Sequence, residues 1–436
     1  MIDICISPQI NISIDGELDI SNLVDGIKNL EIEKIIVKNI IEEINNITVD
    51  EYCGKKYTQG NGEKLYQRAK TFKRKIITTV GEIDLKLHQI HDKIKNIIFT
   101  PIYEKIDFNQ GKNYQNEISM TCTELATKMT YRDTNKEAKL FIEKPPSPTT
   151  LQRMVIKHGK EINEFNKEKI KKDYKDEKLE YFFADGTKTH SQVKNKNNND
   201  VNIALGQGKK GEKVYLDLQI NKPWKTTKKE LDKLNIIEKD ACLIADGERE
   251  LRYALMPEQG FFQMDTIHLI RDTLYKLWQD SKLDLNMRKE LKKELESILY
   301  YLINSTNKYK NNKKELKIRI NECVDKLKEF SKKLIDLGCE KSAQFIKTYS
   351  NYAVTYAMLT LESKNIPWNS NIIERLMGEV SKRCKHKWMR WGSEGQEAML
   401  NLILTRYTNP QYYEEYKNKT LKKENLKNIK IKIKII

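Results

Sequence analysis

Two stretches decide the architecture: Tyr181-Phe182-Phe183-Ala184-Asp185-Gly186-Thr187 and Ala241-Cys242-Leu243-Ile244-Ala245-Asp246-Gly247. Each is a short apolar run that ends on Ala-Asp-Gly. Runs of that length bounded by turn residues read as buried strands. One Asp-Gly pair after a strand is only a turn. Two copies of the same design say more, because ligands of a mostly parallel sheet collect at the carboxyl ends of its strands. If the two strands lie side by side, Asp185 and Asp246 become neighbours. Adjacent carboxylates in a poorly hydrated site stay ionised only with cations between them. Hard oxygen donors with open positions suit Mg²⁺ or Mn²⁺. A third carboxylate from a neighbouring helix would complete a two-ion site suited to phosphoryl transfer.

Further strands flank the pair. Val201–Gly206 is one, and Val214, Leu216, Leu218 and Ile220 alternate as another. Thr227 with Glu230 reads as a capping box opening a helix to Leu234. Glu248–Leu255 is helical and Gly260–Met264 is a fifth strand, giving the order β-β-β-α-β-α-β. Residues 265–361 are long amphipathic helices, with stripes at Leu291, Leu295, Ile298, Leu302 and at Val324, Leu327, Phe330, Leu334. A helix from Asn369 or Ser370 then carries Glu374. The basic loop Lys382–Trp391 follows, and Ser393 with Gln396 caps a helix to Tyr407, which Asn409-Pro410 stops. From Lys417 the chain reads as a lysine-rich mobile tail.

Toward the N-terminus, residues 1–50 suggest short strands and a helix near Leu23–Ile47, and Gln59–Gly62 is a loop. The basic segment Tyr66–Lys75 leads into a hairpin or two strands over Ile76–Leu87. Residues 116–173 read as three helices: Glu117–Met129, Thr134–Ile142 and one from Thr150, capped by Thr149 or Thr150 after the proline-rich break. With Arg153, Lys157, His158 and Lys160 on the last, this is a helix-turn-helix-like module or a helical connector. The expected divisions are 1–115, 116–175, 176–264, 265–364, 365–408 and 409–436.

The 436 residues carry 79 Lys and Arg against 62 Asp and Glu, a net charge of +17. That excess favours a polyanionic partner, although AT-rich coding also enriches Lys, Ile and Asn. With a mean hydropathy of −0.70 and no run near the roughly 18–20 apolar residues of a membrane span, no membrane partner is expected. Met1–Cys5 lacks a basic signal-peptide start, so a cytoplasmic location is expected. Seven cysteines without Cys-x-x-Cys spacing argue against a disulfide framework or zinc ribbon. His88 and His91 have ligand-like spacing but no partner set around them.

The element order, with acids on the first strand, the fourth strand and the final helix, resembles the RNase H-like DDE transposases. It is most similar to prokaryotic insertion-sequence transposases of the Mutator-like group. The similar features are Asp185-Gly186-Thr187, Ile244-Ala245-Asp246-Gly247-Glu248 and Gln263-Met264-Asp265-x-x-His268 with Leu269 and Arg271. Asn371-x-x-Glu374-Arg375, the basic loop and Trp391-Gly392-Ser393-x-Gly395 also look like that group, and the likeness spans roughly residues 60–407.

The resemblance implies an α/β fold: an RNase H-like mixed sheet with flanking helices, an all-α insertion, and a mostly helical N-terminal DNA-binding region. It implies that Asp185, Asp246 and Glu374 are catalytic and hold two Mg²⁺ or Mn²⁺ ions. Asp265 and His268 would organise the site or the DNA strand. It implies strand cleavage and strand transfer on double-stranded DNA, both transposon ends and target, by a homodimer or larger assembly associated with the nucleoid. Arg383, Lys385, Lys387, Trp388, Arg390 and Trp391 would meet phosphates and bases, and Arg153 and Lys157 the terminal repeats. Bland alternatives remain. Glu374 could be a capping-box acid with Asn371, with Glu362 or Glu379 in its place. Asp265 could be only an N-cap, His268 a satisfied histidine, and the basic loop a solvated face. The competing functions are a catalytically silent transposase-derived DNA-binding protein and an RNase H-like nuclease or resolvase.

Overall fold

The computed structural model describes residues 31–56, 62–109, 113–385 and 389–421. The expected strands within residues 1–30, most of the 59–62 loop, Lys387, Trp388 and the tail beyond 421 lie outside the described residues. The chain divides into two units, one holding the described residues up to Val155 and from Lys417 on, the other Ile156–Tyr416.

In the first unit, β1 (Tyr66–Thr78) and β2 (Gly81–Asp92) form an antiparallel hairpin, and β3 (Ile97–Phe99) pairs with the last three residues of β2. The basic segment expected to lead into the hairpin is its first strand. Gly81, at φ +117°, closes the turn in a conformation that side chains avoid. Alternation places Ile76, Ile83, Leu85 and Leu87 on one face, against Val37, Ile41 and Ile44 of α1 (Ile32–Gly54). Strand β3 is too short to reach Lys86 and His88. Helix α1 satisfies their N–H groups instead: Glu42 Oε1 accepts from Lys86 and Asn45 Oδ1 from His88, each at 2.7 Å. The open edge is thereby covered. His88 and His91 bond Thr71 and Asn96 through their rings.

Helices α2 (Asn116–Ala126), α3 (Tyr131–Ala138) and the start of α4 (Pro148–Asp173) enclose a second core with Ile118, Cys122, Ala138, Leu151 and Met154. Ser147 caps α4, its Oγ accepting from Thr150 N, with Pro148 at the first helical position. The cap is therefore not Thr149 or Thr150. Buried residues recur along all of α4 at Leu151, Val155, His158, Ile162, Asn166 and Ile170. The helix has no break, and the division between the two units falls inside it, between Val155 and Ile156.

The second unit is built on a five-stranded mixed sheet. Its strands are β4 (Leu179–His190), β5 (Asn198–Gln207), β6 (Lys213–Ile220), β7 (Ile237–Ala245) and β8 (Phe261–Met264), in spatial order β6-β5-β4-β7-β8. The β4–β5 and β5–β6 pairs are antiparallel, while β4–β7 and β7–β8 are parallel. Helices α5 (Trp224–Leu234) and α6 (Arg249–Leu255) connect the parallel strands. Burial on both faces explains the continuous apolar runs. The expected capping box at Thr227 is absent. Helix α5 starts earlier, at Trp224, because Pro223 pre-sets its entry, and Thr227 is buried mid-helix while Glu230 pairs with Lys167.

Helices α7 (Thr266–Asp280), α8 (Leu285–Tyr309), α9 (Lys313–Asp336), α10 (Glu340–Ala353) and α11 (Thr355–Leu361) follow β8 in the stretch expected to be helical. Its stripes bury as read, except that Cys323 rather than Val324 faces the core. Gln263 stitches this stretch to β8: its Oε1 accepts from Tyr356 N at 2.7 Å, and its Nε2 donates to Ala353 O. Helix α12 (Asn371–Cys384) packs on β4, and α13 (Ser393–Thr408) on β6. Gly392, not Ser393, is the N-cap of α13. Helix α14 (Pro410–Thr420) buries Tyr412, Tyr413 and Tyr416, so the chain stays ordered past Lys417, where a tail was expected.

Candidate active site

The parallel register places the two Ala-Asp-Gly segments together. Phe182 pairs with Leu243 and Phe183 with Ile244. Two residues further along both strands stand Asp185 and Asp246, on neighbouring strands that lie about 4.8 Å apart in such a sheet. Strand β7 ends at Ala245, so Asp246 leaves at its carboxyl end. Strand β4 does not end at Asp185, as the sequence suggested. Pairing with β5 carries it on to His190. Asp185 therefore sits where β4 loses one neighbour and keeps the other, half-buried against a rigid strand.

The electrostatics agree with that proximity. Burial first, and then the negative charge of Asp246, push the Asp185 carboxyl up to about 7; Glu374 adds to the rise, while the Gly186 N–H and His268 oppose it. Asp246 Oδ1 accepts from Glu248 N at 3.0 Å, which shapes the turn after β7.

Glu374 lies in the first turn of α12, and its carboxylate is not part of a capping box. Oε1 lies 2.7 Å from His268 Nε2. His268 Nδ1 lies 3.0 Å from Arg271 Nη2. Arg271 can only donate, so Nδ1 accepts and the imidazole proton sits on Nε2, facing Glu374. His268 itself is buried on α7.

Asp265 joins the two helices. It is fully buried, and Oδ1 accepts from His268 N at 2.9 Å, the N-cap of α7. Oδ2 accepts from Ser370 Oγ at 2.6 Å and from Ser370 N. Ser370 is the N-cap of α12, so Asp265 fixes the turn from which Glu374 projects. Thr266 N donates to Trp368 O beside it. The sequence marked Asp265 and His268 as site residues; it noted Arg271 beside them and Ser370 as a possible helix start, without giving either a part in the site. Arg271 stands one helical turn after His268, the spacing that lets it reach the ring.

The donor set of three carboxylates beside one imidazole suits a hard divalent cation, and the raised Asp185 carboxyl marks a local excess of negative charge. Among the described residues no three His, Cys, Asp or Glu side chains already close on one point. Glu374 rests on His268 instead.

The expected DNA-contacting residues divide. Lys385 Nζ donates to Thr187 Oγ1 at 2.7 Å, two residues beyond Asp185, and Arg390 is exposed. Arg383 and Trp391 turn inward: they are 4% and 5% exposed, with the guanidinium 4.9 Å from the indole ring centre. This corrects their reading as DNA-facing groups, because the chain after α12 folds back to extend the sheet. Trp391 N donates to His190 O, and Trp391 O accepts from Gln192 N and Asn199 Nδ2. Buried Gln396 bonds Thr189 and Asn199 in the same network. On α4, Arg153 is exposed, and Lys157 is half-buried with Glu161 at 3.9 Å.

No curated protein matches the chain. Residues 18–412, nearly the whole length, match the family described as Transposase, Mutator family, and the chain belongs to that family.

Proposed function

We propose that the protein is an RNase H-like DDE transposase that cleaves DNA at the ends of an insertion sequence and joins the freed end to target DNA. The observation that carries the reading is the β4–β7 register, which brings Asp185 and Asp246 side by side, next to the helix bearing Glu374. Asp185, Asp246 and Glu374 would hold two Mg²⁺ or Mn²⁺ ions, which when bound activate an attacking oxygen and stabilise the leaving one.

The chain's own residues set the stage for that chemistry. Asp185 on β4 and Asp246 just past the end of β7 each follow the last paired residues of the two strands, Phe183 and Ile244, by two positions, so that pairing brings them close. Asp265 and Ser370 lock the N-terminus of α12 to that of α7. His268 holds its proton on Nε2 and orients Glu374, and Arg271 fixes the tautomer. Lys385 beside Thr187 offers a cation for the phosphate flanking the scissile bond. Arg390, with Arg153 and Lys157 on α4, supplies further contacts to double-stranded DNA. In this reading the protein works as a homodimer or larger assembly, because two ends must be joined, and it acts at the nucleoid. No helix among the described residues is long and apolar enough to cross a membrane.

The test is cleavage of duplex DNA carrying the element's ends, with Mg²⁺, by wild type and Asp185→Asn. Wild type cuts and the variant loses at least about 10³-fold, as expected when a group central to phosphoryl transfer is removed. Equal activity in the two proteins removes Asp185 from the mechanism. Preference for an RNA–DNA hybrid over end-containing duplex would reassign the protein as a nuclease.

A further inference from the structure

Helix α7 begins at the active site and leads away from it with an unusual surface. His268, Arg271, Tyr275 and Trp278 follow at spacings of three and four residues, so they form one stripe. The first bonds Glu374 and the second bonds the first. From His268 to Trp278 the helix rises about 15 Å. Tyr275 is 62% exposed and Trp278 69% exposed, while the opposite face buries Leu269, Ile270, Thr273 and Leu277. The core of the unit therefore does not account for either aromatic ring.

A third exposed ring lies on the chain segment that leaves Asp246. Helix α6 starts three residues after Asp246, and its Tyr253 is 66% exposed with the Arg249 guanidinium 5.5 Å from the ring centre. Both helices thus carry exposed aromatics beside arginines. Flat π-faces interleaved with cations suit a polyanion with exposed bases, because any base stacks on them and the arginines meet the backbone.

We propose that the Arg271–Tyr275–Trp278 stripe is a stacking track for the unpaired nucleotides of the DNA strand that leaves the catalytic carboxylates. This rests on the transposase reading for the identity of the polymer. The occupant is single-stranded DNA rather than a second copy of the chain, because the stripe is continuous with the catalytic groups and its first members are polar.

The test uses the full-length protein and a fluorescein-labelled oligothymidylate, read by anisotropy at fixed salt, beside a blunt duplex of equal length. Tyr275→Ala and Trp278→Ala should each weaken single-strand binding about tenfold. Trp278→Phe should keep most of it, and duplex binding and the salt slope should not change, because no charge is removed. Thermal midpoints equal to wild type show that the variants fold. Unchanged single-strand binding in both alanine variants overturns the track, as does an equal loss for duplex and single strand. Conversion of an oligomer to monomers by Trp278→Ala, with strand binding intact, reassigns the face to a second copy. Cleavage lost in Asp185→Asn but strand binding untouched in the aromatic variants sinks only the track. Strand binding lost in the aromatic variants, with no cleavage by wild type, sinks only the transposase reading.

Discussion

Both oxygens of Asp265 accept hydrogen bonds from the protein's own fold, and the side chain is fully buried, so the role we propose for it is positioning. In Asp265→Asn one donor of Ser370 or His268 meets an amide N–H₂ instead of an oxygen. Leaving such a buried donor unmatched costs about 1–3 kcal/mol. The variant should melt earlier and cleave more slowly, yet still gain stability from added Mg²⁺; loss of the Mg²⁺ response would make Asp265 a ligand instead. Asp217 gives a pH test at the same scale. Its carboxyl on β6 is pushed up to about 6, first by burial, and Lys167 at 3.7 Å only partly offsets that. A carboxyl raised in the folded state favours folding below its ordinary value of 3.8, and that contribution is lost as pH rises through 6. Asp217→Asn should therefore raise the thermal midpoint relative to wild type at pH 8, by up to about 1–3 kcal/mol of stability. The difference should vanish at pH 4. A gain independent of pH would show that charge is not the cause.

At the scale of elements, the approach of α4 to α13 turns on one glycine. A Cβ on Gly159 would lie 2.3 Å from Ala398 O and 2.5 Å from Ala398 Cα, both backbone or backbone-bound atoms that cannot swing aside. Ala is the better helix former by about 1 kcal/mol. Steric overlap should reverse that sign, so Gly159→Ala lowers the denaturant midpoint; a raised midpoint would show that the two helices can separate cheaply. Periodicity identified nearly every element of the second unit, because apolar spacing reports burial directly. Caps were read less well. Thr227 and Ser393 looked like N-caps, but Pro223 and Gly392 take those places. A Ser or Thr followed by Glu or Gln is compatible with a cap and also with a buried bonding group such as Gln396, and only the neighbours decide between them.

Across the whole molecule, the grouping of Asp185, Asp246 and Glu374 carries an electrostatic cost. Burial and Asp246 hold the Asp185 carboxyl near 7, so at pH 8 its ionised form opposes folding. Mg²⁺ should raise the thermal midpoint of wild type, with about 2.7 kcal/mol of stabilisation at a hundredfold excess over Kd. Asp185→Asn should be more stable than wild type without metal at pH 8 and respond less to Mg²⁺; an identical Mg²⁺ response would place the ion elsewhere. The charge of +17 adds a measurement on the DNA side: the logarithm of the duplex binding constant should fall steeply and linearly with the logarithm of salt concentration. A flat dependence would make the excess a matter of composition alone.

The sequence by itself determined the order of strands and helices in the second unit, the long helical run after β8, and the acids at 185, 246 and 374 as candidates. Those features rest on local periodicity and on residue chemistry, which need no third dimension. Only the tertiary structure decided that β4 runs past Asp185, that α4 belongs to both units, and that Arg383 and Trp391 face inward. It alone showed Asp265 clamping the helix of Glu374 through Ser370. Each of these depends on a partner far away in the chain, and local spacing holds no record of which distant backbone a side chain will meet.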